Sequence, residues 1–474
     1  MKTFILLCCF FFCSLKWCVA QQCKPDSSFG INGVVKTDFG FTYDYNYASY
    51  GQQVLTQPDG SIFIILDVRG TGETRIAKRL SNGYVDPGYG TDGFSSPVNI
   101  RDAQAAMQPD GKIIVMGTLI SGNITDFGVV RYNTDGTPDN TFGVGGMVTT
   151  DFGYGNNFPT SVALQNDGKI VVIGTAYTGE RWDFALARYN TNGSPDNNFG
   201  EDGLQTTDLS NGQAQAVAIQ ADGKILVAGY FFSGINNDFV LVRYNTNGNL
   251  DSTFNEDGIQ TTDFNSSDDI ATSLSVQPDG KILIAGYNYT CGDTCSNLDF
   301  VIARYNTNGN PDSTFNGNGK QITDFYSFDN IAKSIAIQTD GKIIIGGYTY
   351  NGSNQDFAMC RYNINGSLDN TFNGNGKQTT EFGGNEYGNT VALQTNGKIL
   401  IGGWDDLADF DLACYNVNGT PDLSFKGKGK FMDRMSFPDQ GYTYYTSTAI
   451  QTDGKIITAG YTWNNHNFDF AIAR

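Results

Sequence analysis

Carboxylates are the chemically capable side chains this sequence has in quantity: 49 Asp and Glu stand against a single histidine, His466. One imidazole removes Ser-His-Asp and Cys-His nucleophilic arrangements and any zinc site built on several histidines. Carboxylates alone can break a glycosidic bond when two of them stand about 5 to 10 Å apart, or they can hold a hard cation. Asn133-x-Asp135-Gly136-x-x-Asp139 and its counterparts Asn190/Asn192/Asp196, Asn245/Asn247/Asp251, Asn306/Asn308/Asp312 and Asn363/Asn365/Asp369 set oxygens at alternate positions around a Gly, as calcium loops do. Each loop offers only one or two carboxylates, and Asx turns generate the same pattern, so no cofactor is expected; calcium is the exception these loops leave open.

Aromatic rings are the second resource. Tyr43, Tyr45, Tyr47, Tyr444, Tyr445, Trp404 and Trp463, together with His466, stand out from the repeat: the tyrosines are expected in the first and last connections between units, Trp404, Trp463 and His466 in long hairpin loops. Stiff rings with a polar handle suit stacking on sugars or gripping a protein loop, and they equally suit a buried seam. Cys291 and Cys295 are spaced to close a short disulfide loop. Asn123, Asn265, Asn288, Asn351 and Asn365 begin glycosylation sequons, of use only in a eukaryotic source.

The amino end reads as a secretory signal over residues 1–20: Lys2, an apolar run from Phe4 to Leu15, and the small-residue exit Cys18-Val19-Ala20. The run is too short for a membrane span and no second one follows, so the mature chain 21–474 is expected outside the cell or on its surface, as one domain. Loss of Lys2 and Lys16 leaves 28 basic against 49 acidic residues, a net charge of −21. Nucleic acid is therefore excluded as a partner, since it needs a basic patch. Five cysteines remain after the signal, an odd number, so at least one is free or pairs with another chain.

The elements that must position these residues come from a repeat of roughly 57 residues. Its clearest mark is a Gln two residues before Asp-Gly or Asn-Gly, at Gln57, Gln108, Gln165, Gln220, Gln277, Gln338, Gln394 and Gln451. Each unit reads as four short strands rich in Val, Ile, Leu, Thr and Tyr, bounded by Gly, Asn or Asp. Asp-Gly predicts a hairpin whose two central residues both take positive φ. Strands such as Asp238–Tyr244 are apolar on both faces, so each sheet must be covered on both sides. The expected fold is all-β: an eight-bladed β-propeller of four-stranded antiparallel blades, with the Gln-ended strand innermost. The N-terminal strand Gly33–Asp38 is expected to close the ring by completing the blade at 446–474, which hides two sheet edges.

The series Pro-Asp-x-x-Phe, Gly-x-x-x-Thr-Asp-Phe, Gln-x-Asp-Gly-Lys-Ile, Ala-Gly-Tyr and Asp-Phe-x-x-x-Arg-Tyr-Asn runs through residues 25–474 and resembles the delta-60 repeat family of secreted proteins. The resemblance implies a propeller-like exported repeat protein and brings no established activity. Cys414 departs from it by standing in an Arg position.

A residue present in every unit is expected to serve the blade. The Gln series is assigned to backbone hydrogen bonds between inner strands. The Arg series Arg131, Arg188, Arg243, Arg304, Arg361 and Arg474 is assigned to pairing with Asp. Connections of variable length share one end of the propeller, opposite the Asp-Gly and Asn-Gly turns, and function is expected there. The reading is a secreted, non-enzymatic scaffold that recognises a glycan or an extracellular protein through that face. A structural coat or matrix component and a carboxylate-based glycoside hydrolase are the alternatives.

Overall fold

The computed structural model describes residues 34–37, 49–68, 72–292, 295–405, 410–425, 428–433, 443–463 and 468–474. The named elements among them are all strands, grouped into eight antiparallel sheets in chain order. Seven sheets have four strands. The first has three, Ser49–Thr56, Ile62–Val68 and Glu73–Arg79, and its outer side carries the bridges Thr74↔Val98 and Ala77↔Phe94 in place of a fourth. Blade four is typical, running outward through Gln213–Ile219, Ile225–Phe232, Asn237–Tyr244 and Ile259–Thr262.

The ring closes as the repeat requires. Val34–Thr37 pairs with Phe468–Ala473, from Val34↔Ala473 to Thr37↔Phe470, and completes blade eight. The inner strand of blade eight also adjoins that of blade one, where the Val54 N–H donates to Ser447 Oγ at 3.1 Å. The Gln series works across blades: Gln165, Gln394 and Gln451 each donate to the carbonyl of the turn glycine one blade on, at Gly223, Gly454 and Gly60 (3.2, 3.1 and 2.7 Å). Eight apolar clusters fill the interior. In one, Val171 and Ile173 of blade three meet Val227 and Val240 of blade four; their strand neighbours Ile170 and Val172 face the preceding blade.

The Asp-Gly hairpin differs from expectation in one respect. Gly223 takes φ +85°, but Asp222 is not among the positive-φ residues. The Gly223 N–H donates to the Gln220 carbonyl and the Gln220 N–H to the Lys224 carbonyl, so the loop has three residues: a type I turn followed by a left-handed glycine. Asp222 is there because its Oδ1 accepts the Lys224 N–H at 3.2 Å.

A buried ionic knot at the turn end ties each of blades two to six to the blade that follows. Arg304 Nε donates to Asp312 Oδ2 at 2.7 Å, and Lys281 Nζ reaches the same oxygen at 2.8 Å. Arg304 Nη2 donates to the Thr314 hydroxyl, Nη1 donates to the Ile364 carbonyl of the following blade, and the guanidinium stacks 4.6 Å over Phe315. Arg131, Arg188, Arg243 and Arg361 repeat the arrangement with Asp139, Asp196, Asp251 and Asp369. Burial pushes the Asp312 carboxyl up, but hydrogen bonds from Lys281 and Thr314 and the Arg304 charge outweigh it and hold it well below the carboxylate range. The tyrosine after each Arg adds a second link: Tyr305 shares a hydrogen bond with Thr262 of the preceding blade at 2.7 Å.

Because Arg304 is 2 % exposed and satisfies Asp312 from inside, Arg304→Ala is expected to lower stability by about 3 kcal/mol. Lys281→Ala, removing a partner that is 27 % exposed, should cost about 1 kcal/mol or less. Urea denaturation of the two variants checks both; equal losses would contradict the assignment of Arg as the buried anchor.

Candidate functional site

On the long-loop end, four of the seams between blades bring together three positions. These are the Asp that opens the third strand, the acid that follows the outer strand, and the first residue of the next inner strand. In two seams the third position is an Asn whose amide bridges the two carboxylates. Asn157 Nδ2 lies 3.2 Å from Asp126 and 3.4 Å from Asp151, and Asn330 Nδ2 lies 3.2 Å from Asp299 and 3.3 Å from Asp324. In two others the third position is itself an acid. Asp269 stands with Asp238 and Asp263 between blades four and five. Burial first, then the Asp263 and Asp238 charges, push the Asp269 carboxyl up to about 8. Glu386 stands between blades six and seven, fully buried, with Oε1 accepting the Gly384 N–H at 2.6 Å and Oε2 without a partner. Burial, with Asp356 and Asp405 beside it, pushes Glu386 up to about 7.

The same end carries an arc of rings. Tyr230, Tyr287, Tyr348 and Trp404 follow the glycine of the second strand in blades four to seven. That glycine lets two backbones approach: a Cβ at Gly286 would lie 1.9 Å from the Ile270 carbonyl oxygen, next to a bulge in the inner strand. Tyr387, opposite Trp404 across the strands, stacks on it at 4.2 Å and meets Tyr348 edge-on at 5.1 Å. Burial and the neighbouring Tyr287 and Tyr387 push the Tyr348 hydroxyl up to about 12. All five rings are half-buried. Exposed rings flank them at Tyr289, Tyr326 and Phe328, and an open groove of about 390 Å³ between blades three and four is lined by Arg181, Asn211, Phe231 and Phe232 among others.

Of the residues singled out from sequence, Trp404 lies in this arc. It sits in the strand Ile399–Asp405, not in a hairpin loop as expected, and Trp463 likewise ends the strand Ile456–Trp463. Tyr444 and Tyr445 belong to the inner strand Thr443–Ile450, not to the connection before it, because the bulge at Tyr445/Ser447 lets pairing run on to Thr443. Tyr444 stands opposite Tyr461, the register that Tyr387 and Trp404 occupy one blade earlier. The side chains of Tyr444, Tyr445 and Trp463 lie outside the described residues, as do Tyr43, Tyr45, Tyr47 and His466 entirely. Tyr230, Tyr287 and Tyr348 recur after a glycine, in Ala-Gly-Tyr or Gly-Gly-Tyr, which in sequence is the mark of a residue that serves the blade. Their signal was that Thr118 and Thr175 hold the same position in blades two and three.

Cys291 and Cys295 fall at the tip of the hairpin Ile282–Gly292 and Cys295–Tyr305, with Gly292 opposite Cys295; their side chains lie outside the described residues. Cys360 and Cys414 are fully buried, so neither reaches another chain. Asn123, Asn265 and Asn365 are exposed, and Asn351 is half-buried with its amide donating to Asn354 and Asp356. Asn288 cannot take a glycan: it is fully buried, its amide donating to the Phe264 carbonyl at 3.3 Å. In the calcium-like loops the Asp139 oxygens are taken by Arg131, Lys112 and Thr141, so a cation there would have to displace an ion pair.

Segments 108–142, 165–199, 220–254, 277–315, 338–372, 394–425 and 451–474 match a family described as a beta-propeller domain of unknown function (DUF5122); that description does not carry the delta-60 name. No curated protein matches the chain. Similar solved structures include a polysaccharide lyase of the PL25 ulvan lyase family (12% identity, 80% of this chain and 96% of that one, TM-score 0.46) and the polysaccharide lyase Uly1 (11%, 93% and 100%, 0.46). Drosophila Semaphorin 2a is another (10%, 79% and 73%, 0.44). The expectation that the chain is no enzyme is corrected here, because structures similar to it include polysaccharide lyases; a likeness of this degree assigns no activity to this chain.

Glu386 gives the seams a measurable signature. Its folded pKa is raised above the ordinary value, so its contribution is full below about pH 4.5 and is lost as pH rises through about 7. The groups facing it are Asp356 and Asp405, with Glu381 and Lys430 beyond Asp356. Wild type is expected to lose on the order of 2 kcal/mol between pH 5 and pH 8 relative to Glu386→Gln, read by denaturation at each pH. Parallel pH profiles for the two proteins would contradict the buried, proton-binding carboxyl.

Proposed function

We propose that this chain is an exported β-propeller that binds carbohydrate across the long-loop end of blades four to seven. The carrying observation is the arc Tyr230, Tyr287, Tyr348, Tyr387 and Trp404, five half-buried rings in an otherwise acidic surround. Rings held stiff on one side and open on the other present flat apolar area to the C–H faces of sugars at little entropic cost. Tyrosine hydroxyls and the nearby Asp329 carboxylate offer partners for sugar hydroxyls. The formal net charge of −19 disfavours a polyanionic ligand, so neutral polysaccharides are the expected class.

A glycan array followed by titration of the best binder tests this. Wild type should bind a neutral glycan, and Tyr348→Ala or Trp404→Ala should weaken binding about tenfold, equivalent to roughly 1.4 kcal/mol. The same mixtures are assayed for chain cleavage, which decides whether binding leads to turnover. Unchanged affinity in both variants, or capture of an extracellular protein with no glycan bound, would remove the assignment.

A further inference from the structure

We propose that the seam between blades four and five is a calcium site formed by the carboxylates of Asp238, Asp263 and Asp269 with the amide oxygen of Asn288. One carboxylate oxygen from each of the three acids lies within 4.8 Å of the other two. Two buried, donor-free acceptors turn this acidic cluster into a ligand site. Asp269 is fully buried; its Oδ2 accepts the Phe264 N–H at 2.7 Å, and its Oδ1 has no partner. Asn288, opposite Asp269 across the strands, is also fully buried; its amide nitrogen donates to the Phe264 carbonyl, and its Oδ1 has no partner. Both side chains are anchored on the backbone of one residue and each keeps a bare acceptor, which a folded interior tolerates only when something fills it.

The sister seam between blades five and six shows what fills these positions elsewhere. There Asn330 donates to both carboxylates, and its own Oδ1 accepts the hydroxyl of Thr349, its cross-strand partner. In the four–five seam, Asp stands for that Asn and Asn for that Thr, so the donors are replaced by oxygens. Lys320, the cation whose charge reaches Asp269, donates to the Asp263 backbone carbonyl at 2.8 Å and lies over the Phe264 ring. Three carboxylates and an amide oxygen, with no sulfur or imidazole, suit a hard cation that takes six to eight oxygens and completes its shell with water. Calcium fits this irregular set better than magnesium, which demands a near-ideal octahedron. With ligands drawn from two blades, the ion stiffens the contact between them. The affinity expected is that of extracellular calcium modules, about 0.1 to 1 mM. This inference stands apart from carbohydrate binding.

The test is thermal melting and calorimetric titration of the full chain in chelator, calcium or magnesium. Wild type should melt higher in millimolar calcium than in chelator, with a smaller magnesium response. Asp269→Asn rebuilds the bridge of the sister seams, so it should melt at or above wild type in chelator and show no calcium response. Asp263→Asn, at an exposed position, should weaken calcium binding at least about tenfold, and Glu386→Gln, at a different seam, should keep the full response. Identical melting of wild type with and without calcium means that a proton satisfies Asp269 and overturns the site. A wild-type response retained in Asp269→Asn, or in Asp263→Asn should the former not fold, overturns it by placing the ion elsewhere.

Discussion

The propeller depends on the buried pairing of Arg with Asp at the turn end of blades two to six. A desolvated charge is tolerated only when its partner and its remaining hydrogen-bonding groups are satisfied. Arg304 meets that condition with Asp312, the Thr314 hydroxyl, the Ile364 carbonyl and the Phe315 ring. Because the Ile364 carbonyl belongs to the next blade, satisfying the charge and joining the blades are one event. The rest follows from that geometry: Phe254 supports Gly309 of the next Asn-Gly turn, where an added Cβ would lie 2.8 Å from the ring, so only glycine fits. Blade seven shows the tolerance of the scheme. Cys414 replaces the Arg, and Lys398 pairs with Asp422 at 2.5 Å.

With one end specified so fully, the other is free to vary. The seam positions Asn157, Gly212, Asp269, Asn330 and Glu386 occupy equivalent places in the fold and differ in charge, size and hydrogen-bonding capacity. No packing rule demands an acid at Asp269 or Glu386 when an amide serves the neighbours with normal hydrogen bonds. Both acids are retained against the cost of burial, the pattern expected of groups that do something besides hold the fold.

How much of this was legible in the sequence depended on whether a signal was local and periodic. The Gln at Gln451, its Asp-Gly turn and the spare strand at the amino end specified blade number, inner strand and closure, because each reports a backbone requirement repeated eight times. The turn itself was misjudged at Asp222: Asp-Gly serves two hairpin classes, and only the backbone angles separate them. The arc was missed for a different reason. Tyr287 and Tyr348 recur as a supporting residue does, although the same register holds threonine in two blades. Trp404 stands out in sequence and lies in the arc, but in a strand and not a loop, because the bulge that lengthens the inner strand leaves no mark in sequence. Asn288 carries a sequon whose burial depends on a strand pairing that no motif announces.

Charge is distributed along the propeller axis by these same constraints. The Lys and Arg of the knots are spent as counterions at the turn end, where Lys224 and Arg243 converge on the one oxygen of Asp251. At the long-loop end the acids Asp126, Asp183, Asp238 and Asp356 all have raised pKa values, with burial the first cause in each, and each has an acidic neighbour among the further causes. The acidity of the chain is therefore least compensated on the end that bears the rings. A ligand arriving there meets aromatic faces inside a negative field, which repels polyanions, draws cations to the seams and leaves uncharged sugars to be selected by shape and hydrogen bonding.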